Sequence, residues 1–191
     1  WEAQALLRAA PVAGDTELGA EFVALIDPLR YPEAGMTAAD VAEVRRIKAR
    51  VDSERIPRGA DPALHLKLGR GGLADVEWTV QLLQLRFVGA HPALRTTETL
   101  RALAAASAAG LLAEDDAATL ASAWRLASRI RNAAMLVRGR PTDSVPSQPR
   151  DRRGVAFLCG YAADESSRLL DDYRRTTRRA SGVVERVFWE E

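Results

Sequence analysis

The chain has 191 residues, of which 47% are apolar and 28% charged. These are ordinary globular values, so extensive disorder is excluded. The net charge of +1 gives no bulk electrostatic reason to expect nucleic acid or a membrane surface as a partner. No apolar run approaches the roughly 20 residues that a membrane-spanning helix needs. The single cysteine, Cys159, lies in the apolar stretch VAFLCGY, which predicts a core thiol and a reducing compartment. The first residue is Trp1 rather than Met, which indicates a fragment boundary.

Helical patterns begin at the first residue. WEAQALLRA is rich in helix formers and stops before Pro11. Asp15 is placed to cap a second helix, TELGAEFVALIDPLRY. The apolar residues that share one face of this second helix are Leu18, Phe22, Leu25 and Ile26.

A third helix is predicted to open at a capping box formed by Thr37 and Asp40. Its apolar residues recur at helical spacing at Val41, Val44, Ile47 and Val51. The charged residues on its opposite side are expected to be solvated: Glu43, Arg45, Arg46, Lys48, Arg50 and Asp52. A linker, ERIPRGADPALHL, follows.

The second half of the chain continues the helical pattern. Predicted helices run from Leu73 to about Val88, from near Thr97 to a stop at Gly110, and from the acidic pair Asp115–Asp116 to about Arg138. A short apolar helix surrounds Phe157, and a last one spans about Asp164 to Trp189. The inward stripe of this last helix is predicted to be Leu170, Tyr173, Thr177, Ala180, Val184 and Val187.

Strand patterns are nearly absent, since LHLKL alternates too briefly to build a sheet. The fold class is therefore predicted to be all-α, a bundle of about six to eight helices without a significant sheet. We expect a single helical domain over 1–191. It is divided into N-terminal helices (1–54), central motif helices (67–140) and C-terminal helices (150–191).

The stretch KLGRGGLADVEWTVQLLQL (67–85) places two cations and three glycines before a helix with almost no charge. Backbone N–H groups of a glycine-rich turn at a helix start can bind an anion, and Lys67 and Arg70 would add full charges beside Gly71 and Gly72. The alternative is a tight helix-start turn. A Walker loop is excluded because no Lys-Ser or Lys-Thr follows the last glycine, and a Rossmann fingerprint lacks its strand and spacing.

The helix that follows carries one narrow polar row, formed by Glu77, Gln81 and Gln84. Such a row needs partners inside the domain or at a seam. Asp75 and Glu77 lie two positions apart, so they point apart and cannot form a side-by-side catalytic pair. Glu77 needs a cation if it is buried, and the long helix supplies candidate partners on two lines: Arg125 and Arg129 with Asn132 on one, and Arg131 and Arg138 on the adjacent one. Either a structural network or a substrate-facing role fits this pattern.

His65 and His91 lack partners at metal-ligand spacing, so no zinc site is predicted.

The residues resemble a known family. The 67–85 motif, preceded by IKARVDSERIPRG and followed by LRTTETLRAL and RLASRIRNAAMLVRGRPTDSVP, is similar to the C-terminal helical domain of bacterial glutamine synthetase adenylyltransferase/adenylyl-removing enzymes, in an actinobacterial form. The domain that it resembles is the PII-uridylyltransferase/glutamine synthetase adenylyltransferase helical domain. WEAQALLRAAPVAGD resembles the stretch that follows the second nucleotidyltransferase domain of those enzymes.

This resemblance implies a parent enzyme of the cytoplasm. It would transfer AMP from ATP to a tyrosine of glutamine synthetase, and a second half would remove the AMP by phosphorolysis. The PII signal protein and glutamine would set the balance. Mg²⁺ would be held by carboxylates of the nucleotidyltransferase domain.

That catalytic machinery is absent from this sequence, since no Gly-Ser turn followed by Asp-x-Asp occurs. The resemblance therefore implies a helical fragment without catalytic residues or metal ligands, holding neither ATP nor Mg²⁺ alone and completing the nucleotide cleft of a missing nucleotidyltransferase domain. The residues that would face substrate or phosphate are Lys67, Arg70, Gly71, Gly72, Asp75 and Glu77, with Arg129 and Arg138 in a second line.

The alternative function is a protein-interaction module. Arg174, Arg175, Arg178 and Arg179 cluster on the last helix, opposite its apolar stripe. Such a surface could dock glutamine synthetase or the PII protein, although most arginine runs of this kind are solvated faces.

Overall fold

The computed structural model describes residues 2–162 and 164–190, in which the regular secondary structure is helical and is joined by turns and loops. No strand occurs among these residues, so the predicted all-α class is confirmed. Short 3₁₀ turns at Pro62–Leu64 and Pro92–Leu94 and a π-helical turn at Glu185–Glu190 accompany eight α-helices. The helices are α1 (Glu2–Leu6), α2 (Thr16–Arg30), α3 (Ala38–Glu54), α4 (Leu73–Phe87), α5 (Thr99–Ala108), α6 (Glu114–Arg138), α7 (Pro149–Leu158) and α8 (Ser166–Val184).

The contacts between residues divide the chain into two compact units. The first unit comprises residues 1–50 and 77–117, and the second comprises 51–76 and 118–191. The expectation of a single helical domain, with its three subdivisions, stays a prediction.

The first unit begins with a capped helix pair. Asp15 is the N-cap of α2, and its carboxylate accepts hydrogen bonds from the amides of Glu17 and Leu18 at 2.8 and 3.1 Å. This confirms the predicted cap. At the other end of α2, the buried Arg30 donates to the carbonyl oxygen of Ala9 at 2.6 Å and ties the helix to the segment after α1.

The apolar face predicted for α2 is not its buried face. Leu18, Phe22 and Leu25 are 66%, 45% and 72% exposed, whereas Ile26 is only 4% exposed. The helix is buried along the line of Ile26 and Arg30, which lies to one side of Leu18, Phe22 and Leu25 on the helix surface. Leu29, at 60% exposure, extends the exposed apolar row. This row of Leu18, Phe22, Leu25 and Leu29 is called the α2 stripe below.

Helix α3 confirms one prediction and corrects another. Thr37 and Asp40 form the expected capping box, in which the Thr37 amide donates to the Asp40 carboxylate at 2.9 Å and the Asp40 amide donates to Thr37 Oγ1 at 3.2 Å. The prediction that Lys48 is solvated was wrong, since it is only 1% exposed. Lys48 follows Val41 and Val44 at i+7 and i+4, on the buried line of the helix, where its aliphatic stem packs well.

The second unit is built around one apolar cluster. The cluster joins residues from the loop before α4 and from α6, α7 and α8, namely Leu66, Leu73, Ala127, Ile130, Ala133, Ala134, Val145, Val155, Ala156, Cys159, Leu169 and Tyr173. Cys159 is 5% exposed, and burial raises the pKa of its thiol, so the predicted core thiol is confirmed.

Two backbone contacts hold the α4 entrance loop within this unit. The Leu66 amide donates to the carbonyl of Asp143 at 2.6 Å, and the Val145 amide donates to the carbonyl of Leu64 at 2.9 Å. They flank an isolated antiparallel bridge between His65 and Ser144. The short LHLKL alternation therefore makes a single bridge and builds no sheet among the residues described.

The later helices follow their predicted signals. Gly110 has φ of +70°, as expected of a left-handed helix stop, and Glu114, Asp115 and Asp116 occupy the first turn of α6. In α8 the inward stripe starts at Leu169, which is fully buried, rather than at the half-buried Leu170. The reason is spacing, because Leu169 lies four residues before Tyr173.

None of the helices in the described ranges 2–162 and 164–190 is long and apolar enough to span a bilayer. In the same ranges, no group of three or more His, Cys, Asp or Glu side chains is arranged to hold a metal ion. Trp1, the first residue of the predicted helix WEAQALLRA, lies outside the described residues.

Candidate functional site

Several backbone donors at the entrance to α4 are occupied by the protein itself. Four amide nitrogens there find an acceptor within 3.2 Å: Gly72 donates to Gly69 O, Leu73 to Leu66 O, Ala74 to Lys67 O, and Val76 to Gly72 O. A phosphate group would have to displace these bonds to use the same donors. The turn therefore serves as a self-contained helix start.

A further donor of the turn, the amide of Gly71, is used by Asp75. The amide of Gly71 donates to Asp75 Oδ2 at 2.7 Å, and the Asp75 side chain is 8% exposed. A carboxylate of the chain thus occupies the place that an anion would take at this helix N-terminus. Asp75 therefore helps to position the loop.

The glycines of the turn are required by close packing. Gly71 has φ of +70°, and a Cβ atom there would lie 2.0 Å from the carbonyl oxygen of Thr177 in α8. A Cβ at Gly72 would lie 2.7 Å from Gly69 O and 2.8 Å from Leu66 O. The sequence left two readings of this turn open, and the geometry favours the tight turn.

The two cations of the motif are exposed. Lys67 lies on the surface, and Arg70 has 82% of its side chain exposed, with its guanidinium 3.4 Å from a carboxylate oxygen of Glu185. A salt bridge this exposed contributes little to stability. Both side chains are accessible to an anion from outside the chain.

Arg70 also borders a cavity of about 440 Å³ within the second unit. Asp75, Glu185 and Trp189 contribute to its wall. Its full lining is Asp52, Ile56, Pro62, Leu68, Arg70, Asp75, Ser181, Val184, Glu185 and Trp189. Only Arg70 and Asp75 of the predicted site residues line this cavity.

The side chain of His65 stabilises the turn before α4 through a hydrogen bond to its backbone. Its Nδ1 accepts a hydrogen bond from the Leu68 amide at 3.0 Å, and the residue is 3% exposed. Burial lowers the pKa of His65, which keeps the imidazole in the neutral form that this bond requires. The histidine has a structural role that the sequence did not indicate.

The predicted polar row of α4 finds its partners within the first unit. Glu77 forms an ion pair with Arg8 at 3.2 Å. Gln81 accepts a hydrogen bond from Gln4 at 2.8 Å. Gln84 donates to the carbonyl oxygens of Leu94 and Thr96, both at 2.8 Å. These contacts assign the row a structural role.

The residues of α6 that were predicted as partners of Glu77 contact other residues or face solvent. Arg131 pairs with Asp143 at 2.6 Å, and Arg138 pairs with Asp151 at 3.6 Å. Arg125, Arg129 and Asn132 are exposed. Arg8, the cation that does pair with Glu77, was not among the predicted partners.

The arginine cluster of α8 lies on the surface as expected. Arg174, Arg175, Arg178 and Arg179 are all exposed, and Arg175 is hydrogen-bonded to Asp172. The other three have no acidic partner among the residues described.

Two partners of the site were missed by sequence reasoning for the same reason. Glu185 lies 115 positions from Arg70, and Arg8 lies 69 positions from Glu77. Contacts at such separations leave no periodic pattern in one sequence. Only a three-dimensional arrangement reveals them.

Comparison of the sequence with known proteins places this chain in a family. Residues 43–188 match the family described as GlnD PII-uridylyltransferase. Three curated relatives are each named bifunctional glutamine synthetase adenylyltransferase/adenylyl-removing enzyme. The protein from Streptomyces avermitilis is 60% identical over 189 residues, that from Mycolicibacterium smegmatis 57% over 188, and that from Cutibacterium acnes 52% over 191.

These alignments cover 99%, 98% and 100% of this chain but only 19% of each relative. The chain therefore spans about a fifth of the length of the curated relatives it matches, and the resemblance read from the sequence is confirmed. With the family match covering most of its length, the chain belongs to the GlnD PII-uridylyltransferase family, in the region that it shares with glutamine synthetase adenylyltransferase/adenylyl-removing enzymes.

Proposed function

We propose that this chain is the helical, non-catalytic part of a bifunctional enzyme that adds AMP from ATP to a tyrosine of glutamine synthetase and removes it again. The observation that carries the proposal is the identity of 52–60%, along nearly the whole chain, with proteins of that name. The sequence holds no Gly-Ser turn with a following Asp-x-Asp. The fragment alone is expected to be inactive.

The cofactors and regulators belong to the parent enzyme in this proposal. A nucleotidyltransferase domain outside this chain would bind ATP and Mg²⁺, and the PII signal protein would regulate the balance of the two activities. The parent enzyme would work in the cytoplasm, a reducing compartment that suits a chain with a single cysteine.

Within the parent, we assign the site residues two kinds of role. Lys67 and Arg70 are exposed and free to meet a phosphate or an acidic surface at the nucleotide cleft. Gly71, Gly72 and Asp75 shape the turn that presents these two cations. Glu77 fixes the segment after α1 through Arg8. Arg129 is a further exposed cation available to that cleft.

The α2 stripe is the surface proposed to contact the rest of the parent polypeptide. Its side chains Leu18, Phe22, Leu25 and Leu29 recur at i, i+4, i+7 and i+11, so they form one continuous line on the helix. All four are at least 45% exposed. An apolar line of this spacing is typical of a helix that packs in a groove.

The size of the stripe favours a tethered occupant over a second copy of the chain. A stable interface between separate proteins buries about 800 Å² on each partner, which is more than four side chains provide. A covalently linked partner needs less, because linkage gives it an effective concentration in the millimolar range. The relatives are about five times as long as this chain, so such a partner is available in the parent.

The experiment is an adenylylation assay of the full-length protein with purified glutamine synthetase, ATP and Mg²⁺. AMP transfer to a glutamine synthetase tyrosine is expected, and its absence from an enzyme that binds ATP would contradict the proposal. Lys67→Ala and Arg70→Ala are expected to lower AMP transfer at least tenfold in this enzyme. Arg101→Ala, which removes an arginine of α5 with 72% of its side chain exposed, is the matched control and is expected to leave the rate unchanged.

A second candidate function comes from the family description, which names a PII-uridylyltransferase. The same assay separates the two functions when UTP and PII protein replace ATP and glutamine synthetase. UMP transfer to PII without AMP transfer to glutamine synthetase would favour the second candidate. The reverse result would favour adenylylation.

The α8 arginines favour a docking role as a third possibility, because three of them lack an acidic partner among the described residues. Capture of glutamine synthetase or PII by this chain, weakened by salt and by Arg174→Ala with Arg178→Ala, would support docking. If the variant captures the same amount of partner, these arginines are a solvated face.

A further inference from the structure

We propose that a cleft between the end of α6 and the start of α7 binds a small dianion that carries a phosphate group. The cleft has a volume of about 660 Å³. Its lining is Val137, Arg138, Arg140, Arg150, Asp151 and Gly154, all from the second unit. The volume lies in the range of small-molecule sites, about 300–1,000 Å³.

The charge of the cleft is unbalanced. Three arginines and one aspartate line it, which leaves two uncompensated positive charges. Arg138 and Asp151 form an ion pair at 3.6 Å, with side chains 26% and 30% exposed. Arg140 and Arg150 are exposed and have no acidic partner among the residues that the structure describes. Two guanidinium groups therefore remain available to a ligand of charge −2.

The paired arginine is the ordered part of the site. Because Asp151 holds it and the surrounding helices bury most of it, the Arg138 guanidinium loses less freedom on binding than a fully exposed arginine would. Its planar N–H groups can face a phosphate while Nε faces Asp151. The Asp151 carboxylate thus orients Arg138. The charges of Arg140 and Arg150 remain to be neutralised by the ligand.

Close packing of the two helices brings these cations together. A Cβ atom at Gly154 would lie 3.1 and 3.4 Å from the methyl carbons of Val137, so the absence of a side chain at Gly154 lets α7 approach the end of α6. Arg138 and Arg140 come from the α6 end, and Arg150 comes from the first turn of α7. Arginines 10 and 12 positions apart in sequence therefore line one cleft.

The start of α7 adds to the positive potential. Pro149 is the first residue of the helix, and the side chain of the N-cap residue, Gln148, makes no capping hydrogen bond. The first-turn amides of α7 are therefore not satisfied by a cap, and the helix dipole is positive at this end, where the one acidic side chain of the turn is Asp151, whose charge is already counted among those of the cleft. This contribution reinforces the arginines, which carry the proposal.

The chemistry favours a phosphate monoester or free phosphate over other ligands. Arginine forks match the geometry of phosphate oxygens, and a dianion neutralises the two excess charges. An extended polyanion such as nucleic acid would need a basic surface larger than one cleft, and the chain as a whole has a net charge of only +1. None of the cleft residues lines the cavity beside Arg70. The inference therefore goes beyond the proposed function and is measurable without AMP transfer.

The test is isothermal titration of the 191-residue chain with inorganic phosphate and, separately, with AMP, at 150 mM NaCl. Saturable binding of at least one probe is expected, with Arg140→Ala combined with Arg150→Ala raising its Kd at least tenfold. Arg174→Ala combined with Arg178→Ala removes the same charge from exposed positions of α8 and is expected to leave the Kd unchanged. A thermal melt of each variant checks that the fold is retained.

Three results would overturn the proposal. The first is no saturable binding of either probe at millimolar concentration. The second is an equal rise in Kd for both double variants, which would mean that only the net charge matters. The third is unchanged binding when the two cleft arginines are removed. Tighter binding of AMP than of phosphate supports an ester ligand, and equal binding supports free phosphate.

Discussion

The carboxylate of Asp75 accepts a hydrogen bond from the backbone amide of Gly71 at 2.7 Å, four residues back along the chain. This bond closes the glycine-rich turn at the start of α4 from inside. The sequence pattern is typical of an anion-binding loop, but in the structure the Asp75 carboxylate of the chain itself accepts the hydrogen bond of Gly71. The turn holds Lys67 and Arg70 at the surface, but its Gly71 amide is used by Asp75 and does not join these two cations in binding an anion.

We predict that Asp75→Ala lowers the free energy of unfolding by about 1–3 kcal/mol, because it leaves the buried amide of Gly71 without its acceptor. Asp75→Asn keeps a side-chain carbonyl oxygen that can accept the same bond, so its loss is expected to be smaller. Urea unfolding followed by circular dichroism measures both. Equal losses for the two variants would show that the hydrogen bond is not the source of the effect.

A second prediction concerns Gly71 and separates steric from conformational strain. Gly71 and Gly110 share a φ of +70°, but a Cβ at Gly71 would lie 2.0 Å from Thr177 O, whereas nothing lies within 4 Å of one at Gly110. Gly110→Ala is expected to cost only the left-handed conformation, about 1–2 kcal/mol. Gly71→Ala is expected to cost about 4 kcal/mol or more.

The comparison stays informative if Gly71→Ala does not fold. In that case its recovery in the soluble fraction is expected to fall well below that of Gly110→Ala expressed in parallel. Similar unfolding midpoints and yields for the two variants would mean that α8 does not pack against the turn as described.

Predictions from local chemistry succeeded where the signal lies within a few residues. Asp15 and the Thr37–Asp40 box are caps that need only a short side chain and an amide two or three positions away. The left-handed stop at Gly110 is of the same kind. The fold class followed from summed signals of this type.

Predictions about burial failed where a pattern fits two faces. Residues of α2 offer an apolar line at Leu18, Phe22 and Leu25 and a different buried line that includes Ile26. Periodicity identifies both lines but does not say which one packs against the domain. The prediction that Lys48 is solvated failed for a related reason. It was based on the charge of the side chain, whereas the position of Lys48 lies on the buried line of α3.

The candidate site was predictable only in its local part. The turn, its glycines and the polar row of α4 followed from the sequence. The partners Arg8 and Glu185 did not, because they depend on which distant segments pack together. The same limit applies to the arginine cleft, whose members join through the contact of Gly154 with Val137.

A third prediction concerns pH and His65. Burial lowers the pKa of His65 in the folded chain, so protonation below the ordinary value of about 6.5 favours the unfolded state. Stability is therefore fully present above about pH 6.5 and is lost as the pH falls, with a slope of at most about 1.4 kcal/mol per pH unit for one proton. Urea unfolding between pH 7.5 and 5.5 measures this loss.

Two variants test the assignment to His65. His65→Asn keeps an acceptor near the position of Nδ1 for the Leu68 amide but does not titrate, so its stability is expected to change less between pH 7.5 and 5.5 than that of the unaltered chain. His91→Asn is the matched control and is expected to leave the pH dependence unchanged. A full acid loss in His65→Asn would assign the effect to other groups.

The fourth prediction tests which face of α2 is buried. Leu25 is 72% exposed and Ile26 is 4% exposed, although the two residues are neighbours in the sequence. Ile26→Ala is expected to lower the free energy of unfolding of this chain by about 2–4 kcal/mol, because it leaves a cavity. Leu25→Glu is expected to change it by no more than about 0.5 kcal/mol, because the side chain faces solvent.

The same pair of variants tests the α2 stripe in the full-length parent. If the stripe packs against another part of that polypeptide, Leu25→Glu is expected to increase cleavage by trypsin between this chain and the remainder while leaving the isolated chain as resistant as before. An unchanged digestion pattern in the parent would mean that the stripe stays exposed there. A large loss of stability in the isolated chain would instead mean that Leu25, and not Ile26 alone, belongs to the core of the first unit.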